Sequence, residues 1–124
     1  MKQKETISRS LEDYLECILA IQEKTKHVRV TDIAREIGNS KPSVHKAIQN
    51  LKAQGLVEHE KYGAITLTIK GECLAKNVLM RHQVLKQFLI NIGVSEEKAE
   101  EEACAIEHSI SVDTVEKLSN YMKI

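Results

Sequence analysis

The sequence has no tryptophan, one phenylalanine and three tyrosines, so aromatic residues make up only 3% of its 124 positions. Its core must therefore be aliphatic, built from Leu, Ile, Val and Ala. One proline and five glycines exclude a many-turned β fold and a disordered chain, and leave room for long helices. Cys17, Cys73 and Cys104 are an odd number without paired spacing. That excludes a disulfide framework and leaves reduced thiols able to bind metal. No apolar run reaches the length of a membrane span, and the opening MKQKETISRS lacks an apolar signal core. The expectation is a cytoplasmic protein with no membrane partner.

Net charge is also lacking, with 18 basic and 18 acidic residues, but the two signs are segregated. Residues 24–70 hold nine Lys/Arg against four acids, and residues 95–124 hold eight acids against three Lys/Arg. The middle of the chain is suited to a polyanion, and the end is not.

What is present is helical periodicity. A first helix is expected from about Ser8–Ser10, capped by Ser10, with Glu12 and Asp13 in its first turn. Leu11, Tyr14, Leu15, Ile18, Leu19 and Ile21 form its apolar stripe to about Lys24. Thr25–Arg29 reads as a connector. A short helix over Val30–Ile37, capped near Thr31 or Asp32, stops at Gly38-Asn39. Ser40-Lys41-Pro42-Ser43 opens a further helix to about Gln54, with Val44, Ala47, Ile48 and Leu51 inward. Two helices joined by a tight glycine-containing turn read as a helix-turn-helix. The second helix would present Ser40, Lys41, Pro42, Ser43, His45, Lys46 and Gln49 to a DNA major groove, with Thr31 and Arg35 of the first as further contacts. Alternation over Leu56–Thr68, broken at Tyr62-Gly63, predicts a β-hairpin, the wing of a winged helix, with Lys61 and Tyr62 at its tip beside the DNA backbone.

A long helix is expected from about Glu72 to Ile92, a capped helix from Ser95 to about Ile110, and a final short helix to about Tyr121. Helices following a winged helix in so short a chain are expected to form a dimer interface, and a dimer matches a pseudo-palindromic operator. Cys104, Glu107 and His108 stand at i, i+3 and i+4, so on a helix a thiol, a carboxylate and an imidazole share one face. Sulfur, oxygen and nitrogen converging in this way make an incomplete transition-metal site. Asp13 with Glu16, and His82, are the candidates to complete it. Cys17 and Cys73 are expected to be small buried residues. No separate general base or substrate loop is evident, so neither an enzyme nor a small-molecule substrate is expected. The competing reading is a winged-helix DNA- or protein-interaction module with a structural metal or none.

Ser10-Leu11-Glu12-Asp13-Tyr14-Leu15-Glu16, Val30-Thr31-Asp32-Ile33-Ala34, Pro42-Ser43-Val44, Leu67-Thr68-Ile69-Lys70-Gly71, Arg81-His82 and Cys104-Ala105-Ile106-Glu107-His108 occur in the order found in one family. Through them the chain resembles the diphtheria toxin repressor family, including its manganese transport regulator branch. The resemblance covers nearly the whole chain. It implies a mainly α protein, with a winged helix-turn-helix DNA-binding domain over residues 1–71 and a helical metal-binding and dimerisation domain over 72–124. It also implies a metal-activated repressor of metal-uptake and homeostasis genes that binds operator DNA as a homodimer. By resemblance Asp13, Cys104, Glu107 and His108 match the main activating site. Glu16 and His82 match the neighbouring site of manganese-type members, with Glu107 bridging. No SH3-like domain is expected, as in the short manganese-type members.

The chain departs from the family pattern in three places. Manganese-type members carry a carboxylate where Cys104 stands, and iron-type members carry Met where Asp13 stands. Lys86 stands where both branches usually have Glu. Oxygen ligands suit Mn(II), whereas a thiolate favours Fe(II), with Co(II), Ni(II) or Zn(II) possible in vitro. The expected cofactor is Fe(II) or Mn(II), with the balance slightly toward iron, and with one firmly held ion and a second that is weak or absent. Because the ligands must be deprotonated, activation is expected to weaken at low pH.

Overall fold

The computed structural model describes residues 8–60 and 63–123. The chain divides into two compact units, one running to Lys76 and the other starting at Asn77. Among the described residues no helix is long and apolar enough to cross a membrane.

The first unit contains α1 (Arg9–Lys24), α2 (Val30–Ile37), α3 (Lys41–Ala53), β1 (Val57–His59), β2 (Ile65–Leu67) and the start of α4 (Ile69–Asn91). The stripe on α1 buries Tyr14, Leu15, Ile18, Leu19 and Ile21, and α1 packs against α2, α3 and β2. Ile33, Val44, Ile48, Leu51, Leu56 and Ile65 complete a core with almost no exposed surface. Each such aliphatic side chain contributes about 1.5–3 kcal/mol by leaving water. Gly38 ends α2 at φ 81°, a left-handed conformation that glycine adopts without a Cβ penalty. Ser40 caps α3 by accepting from the Ser43 amide at 3.2 Å.

Several boundaries differ from those read in the sequence, each for a local reason. Ser8, not Ser10, caps α1, accepting from the Leu11 amide at 3.2 Å; Ser10 lies inside the helix. Arg29, not Thr31 or Asp32, is the cap residue of α2. The Asp32 carboxylate reaches back to the Arg29 amide at 3.1 Å. The connector is partly ordered as sheet, because Val28 bridges Ile65 and its carbonyl accepts from the Ile65 amide at 2.8 Å. The hairpin itself pairs Val57 with Leu67 and His59 with Ile65 in antiparallel register.

The start of α4 moves from Glu72 to Ile69. Thr68 explains the change: its hydroxyl accepts from the Gly71 amide at 3.0 Å and donates to the Gly55 carbonyl at 2.7 Å. Gly71 is buried inside the first turn, not a lead-in to it.

A polar contact ties α1 to the helix-turn-helix. Asn39 Nδ2 donates to the Tyr14 hydroxyl at 2.8 Å. Tyr14→Phe removes the acceptor and keeps the ring, and is expected to lower unfolding free energy by about 1 kcal/mol. Urea denaturation of the two proteins would show a shifted midpoint at unchanged slope, and coincident curves would refute the assignment.

In the second unit α5 spans Glu96–Ile106 and α6 spans Val112–Met122, capped by Ser95 and Ser111. Its apolar core is small: Val78, Leu85, Ala99, Ala103 and Val115. Three polar side chains, Arg81, His82 and Glu107, are buried with them. Ile92, Ile106, Val112 and Tyr121 remain exposed.

Candidate metal centre

Glu107 is the centre of the polar cluster. It is fully buried and follows the last residue of α5. Its Oε1 lies 2.7 Å from His82 Nδ1 on α4. Its Oε2 lies 3.3 Å from His108 Nε2 but makes no hydrogen bond among the described residues. Arg81, one residue before His82, donates from Nη1 to the Glu107 carbonyl at 2.8 Å. That places a cation at the C-terminal end of α5, where the helix dipole favours one.

His82 is held from both sides. Its other nitrogen, Nε2, lies 3.1 Å from Glu100 Oε2. The hydrogen bond to Glu107, opposed by burial and reinforced by Glu100, raises its pKa to about 9. Glu100 also meets Lys86 Nζ at 3.0 Å, and Glu96 lies 3.9 Å from the same ammonium. Lys86 holds the Glu100 carboxyl below its ordinary value, with His82 adding to the effect. The donor atoms of His82, Glu100 and Cys104 lie within 4.8 Å of one another.

The helix expected to run to Ile110 ends at Ile106. Glu107 keeps helical torsions, φ −56° and ψ −27°, but His108 sits in the turn closed by Ser109 N to Ile106 O at 2.8 Å. The i, i+3, i+4 pattern therefore divides. Glu107 faces His82 and His108, whereas Cys104 is grouped with His82 and Glu100. Asp13 and Glu16 lie one turn apart on α1 in the first unit, Asp13 exposed and Glu16 half-buried. Burial, with Glu36 and Glu16, pushes the Cys17 thiol up to about 11. Cys73 is exposed, not buried as expected, because it falls on the outer side of the extended α4.

Glu100 was missed in the sequence. The signal was there: it precedes Cys104 by one helical turn, as Lys86 follows His82 by one.

These donors suit a divalent first-row ion. A buried carboxylate whose second oxygen lacks a hydrogen-bond donor is costly, and a cation shared with His108 relieves that cost. Imidazole, carboxylate and thiolate are together the borderline set for Fe(II), Co(II) and Zn(II), and the oxygens also accept Mn(II).

The expected DNA-facing residues Ser40, Lys41, Pro42, Ser43, His45, Lys46 and Gln49 are all exposed at or along α3, as are Thr31 and Arg35 on α2. Ser40 is committed in part to capping, and its hydroxyl donates to Ser43 Oγ at 3.0 Å. Arg35 pairs with Asp32 at 3.0 Å. His45 of α3 and His59 of β1 meet in a tilted arrangement, with ring centroids 5.7 Å apart and planes at 54°. Burial, then His45 and Lys52, lower the His59 pKa. Lys61 and Tyr62 lie outside the described residues.

A helix-turn-helix with an antiparallel wing, followed by a helical unit carrying buried ligand-type side chains, defines the class of winged-helix regulators with a metal-binding unit. Comparison with known proteins narrows the class. Residues 6–65 match the family described as iron dependent repressor, N-terminal DNA binding domain. Residues 68–123 match its metal binding and dimerisation domain. The chain is 36% identical over 115 residues to the HTH-type transcriptional regulator MntR of Lysinibacillus sphaericus, covering 93% of this chain and 83% of that protein. It is 41% identical to an uncharacterized HTH-type transcriptional regulator of Methanocaldococcus jannaschii, covering 94% and 95%. Among solved structures, a manganese-dependent transcriptional repressor in complex with manganese superposes with TM-score 0.83 at 32% identity. The metal-dependent transcriptional regulator MtsR superposes with TM-score 0.85 at 27% identity. The chain covers 91% and 94% of itself in these matches but spans only 52% and 55% of those two solved chains. The protein belongs to the iron-dependent repressor family of DNA-binding transcriptional regulators.

Proposed function

We propose that this chain is a metal-activated repressor of metal-uptake and homeostasis genes, responding to Fe(II) or Mn(II). It acts in the cytoplasm as a homodimer on a pseudo-palindromic operator, and its role is regulatory, not catalytic. The observation that carries this reading is the buried Glu107 carboxylate, set between His82 and His108 with one oxygen lacking a hydrogen bond.

A bound divalent ion supplies positive charge and coordinate bonds to carboxylate, imidazole and thiolate. Glu107 and His108 are the donors preorganised by burial, and Arg81 fixes the backbone that carries them. His82 is oriented by its Nδ1 contact with Glu107, the arrangement by which a carboxylate sets the tautomer of a ligating imidazole. On the family resemblance we add Asp13 and Glu16 of α1, and Cys104, to the ligand set. Donors drawn from both units make the freedom of the DNA-reading unit depend on ligation, which shifts population toward the binding-competent state.

At the DNA, the outward residues of α3 read the major groove from its N-terminal half. Lys46 and His45 meet guanine or phosphate, Ser43 and Gln49 meet base edges, and Pro42 offers apolar contact to thymine. Thr31, Arg35, Lys41 and the wing residues Lys61 and Tyr62 contact the backbone. Residues left exposed on the single chain, Ile92, Ile106, Val112 and Tyr121, are apolar material for a self-complementary interface.

The test is anaerobic fluorescence anisotropy. An operator selected from a random duplex pool is titrated with protein at fixed ionic strength, in chelator, in Mn(II) and in Fe(II). At least one metal is expected to tighten binding by an order of magnitude or more. Equal affinity in all three conditions would refute the proposal.

A further inference from the structure

His82 presents Nε2 toward a second set of donors. With Nδ1 engaged by Glu107 at 2.7 Å, the ring is oriented so that Nε2 meets the Glu100 carboxylate at 3.1 Å. The Cys104 thiol completes a group whose donor atoms all lie within 4.8 Å of one another. Nitrogen, oxygen and sulfur at that spacing, with a carboxylate behind the imidazole, are the parts of a site for a borderline divalent cation. The cluster also contains something a metal site does not want. Lys86 places its ammonium 3.0 Å from the same Glu100 carboxylate and 3.9 Å from Glu96.

We propose that Lys86 is a built-in counter-ion that keeps the His82–Glu100–Cys104 cluster from holding, through Glu100, a divalent cation of its own, and so sets how many metal ions the chain holds. The inference rests on reading the helical unit as metal-binding, and it assigns Glu100 and Lys86 roles within it. The charge argument is direct. A divalent ion sharing Glu100 would lie within a few ångströms of a positive ammonium. Even at high effective dielectric that repulsion weakens binding on the order of tenfold or more. As a plain ion pair, Lys86–Glu100 would add little, because the two side chains are 29% and 52% exposed. Its consequence lies in what it excludes. The cation class excluded is Zn(II), Co(II), Ni(II) or Fe(II), since a thiolate in the donor set discriminates against Mn(II).

The experiment is Co(II) titration of the wild-type chain, Lys86→Met, Lys86→Arg and Lys86→Met/Glu100→Gln. Stoichiometry is read by equilibrium dialysis and thiolate coordination by the near-ultraviolet charge-transfer band. Lys117→Met, which removes a lysine paired with Asp113 at 3.0 Å in the same unit, is the control. Lys86→Met is expected to bind one more Co(II) per chain than wild type, with a stronger thiolate band. The added ion and band are expected to disappear in the double variant, and Lys86→Arg and Lys117→Met to behave as wild type. Lys86→Gln, run in parallel, guards against a solubility effect of Met. Equal stoichiometry in wild type and both neutral variants overturns the proposal, as does an added ion that persists without the Glu100 carboxylate. A wild-type chain that binds no ion, beside a Lys86→Met chain that binds one, would sustain this inference and refute the proposed function.

Discussion

Glu107→Gln is expected to cut affinity for Mn(II) or Co(II) by about a hundredfold or more while leaving the fold intact. Losing a group that merely orients a ligand costs 10- to 100-fold in metal affinity, so loss of a ligating charge belongs at or above that range. Glutamine keeps the shape, and its amide can still meet His82, so the packing of the buried site survives. What disappears is the negative charge that Oε2 offers beside His108 at 3.3 Å. Glutamine also loses the charge that pairs with His82 at 2.7 Å, so the metal-free form should melt below the wild-type temperature, and the metal-induced rise in melting temperature should vanish as well. Isothermal titration and thermal melts, each with and without metal, separate these effects. A variant within threefold of wild-type metal affinity would remove Glu107 from the site.

Gly71→Ala is expected to destabilise the first unit by about 3 kcal/mol, the upper part of the usual range for overpacking. Two effects compete here. Alanine favours a helix over glycine by about 1 kcal/mol. Against this, a Cβ at residue 71 would stand 1.9 Å from the Leu56 carbonyl oxygen and 2.9 Å from its carbon. These are backbone atoms, and Leu56 is itself buried, so no flexible side chain can move aside. The same carbonyl accepts from the Thr68 amide at 3.0 Å, so displacing it disturbs the joint that starts α4. Steric conflict therefore outweighs helix propensity. In a domain of this size the melting temperature should fall by roughly 10 °C or more. A change of less than 2 °C would mean that the first turn of α4 can shift away from Leu56 at little cost.

These residues also show what was legible in the sequence. The helix-turn-helix was, because Gly38, Ser40 and Pro42 act locally: a left-handed stop, a cap and a first-turn proline within five residues. The α1 stripe was legible because apolar spacing and burial coincide. Gly71 was read as a lead-in, because a close approach to Leu56 is a tertiary fact with no local trace. Val28 pairing with Ile65 was hidden for the same reason. Boundaries moved where a side chain reached back, as Asp32 does to Arg29 and Thr68 to Gly55. At the metal centre, His82 and Glu107 were identifiable as ligand types, but helical spacing within α5 gave no sign that the Cys104 donor lies within 4.8 Å of those of His82 and Glu100. The end of α5 at Ile106 separates His108 from Cys104, and the pairing of Glu100 with His82 depends on how α4 and α5 lie together. No motif within either helix encodes it.

Coupling between metal and DNA binding is subject to thermodynamic reciprocity. If metal tightens operator binding by some factor, the operator must tighten metal binding by the same factor. The measurement is the Mn(II) and Fe(II) dissociation constant of the dimer, anaerobically, with and without saturating operator. Operator is expected to tighten at least one of them, by about tenfold to a hundredfold, matching the metal-induced gain in DNA affinity. Metal constants unchanged by DNA would contradict the coupling.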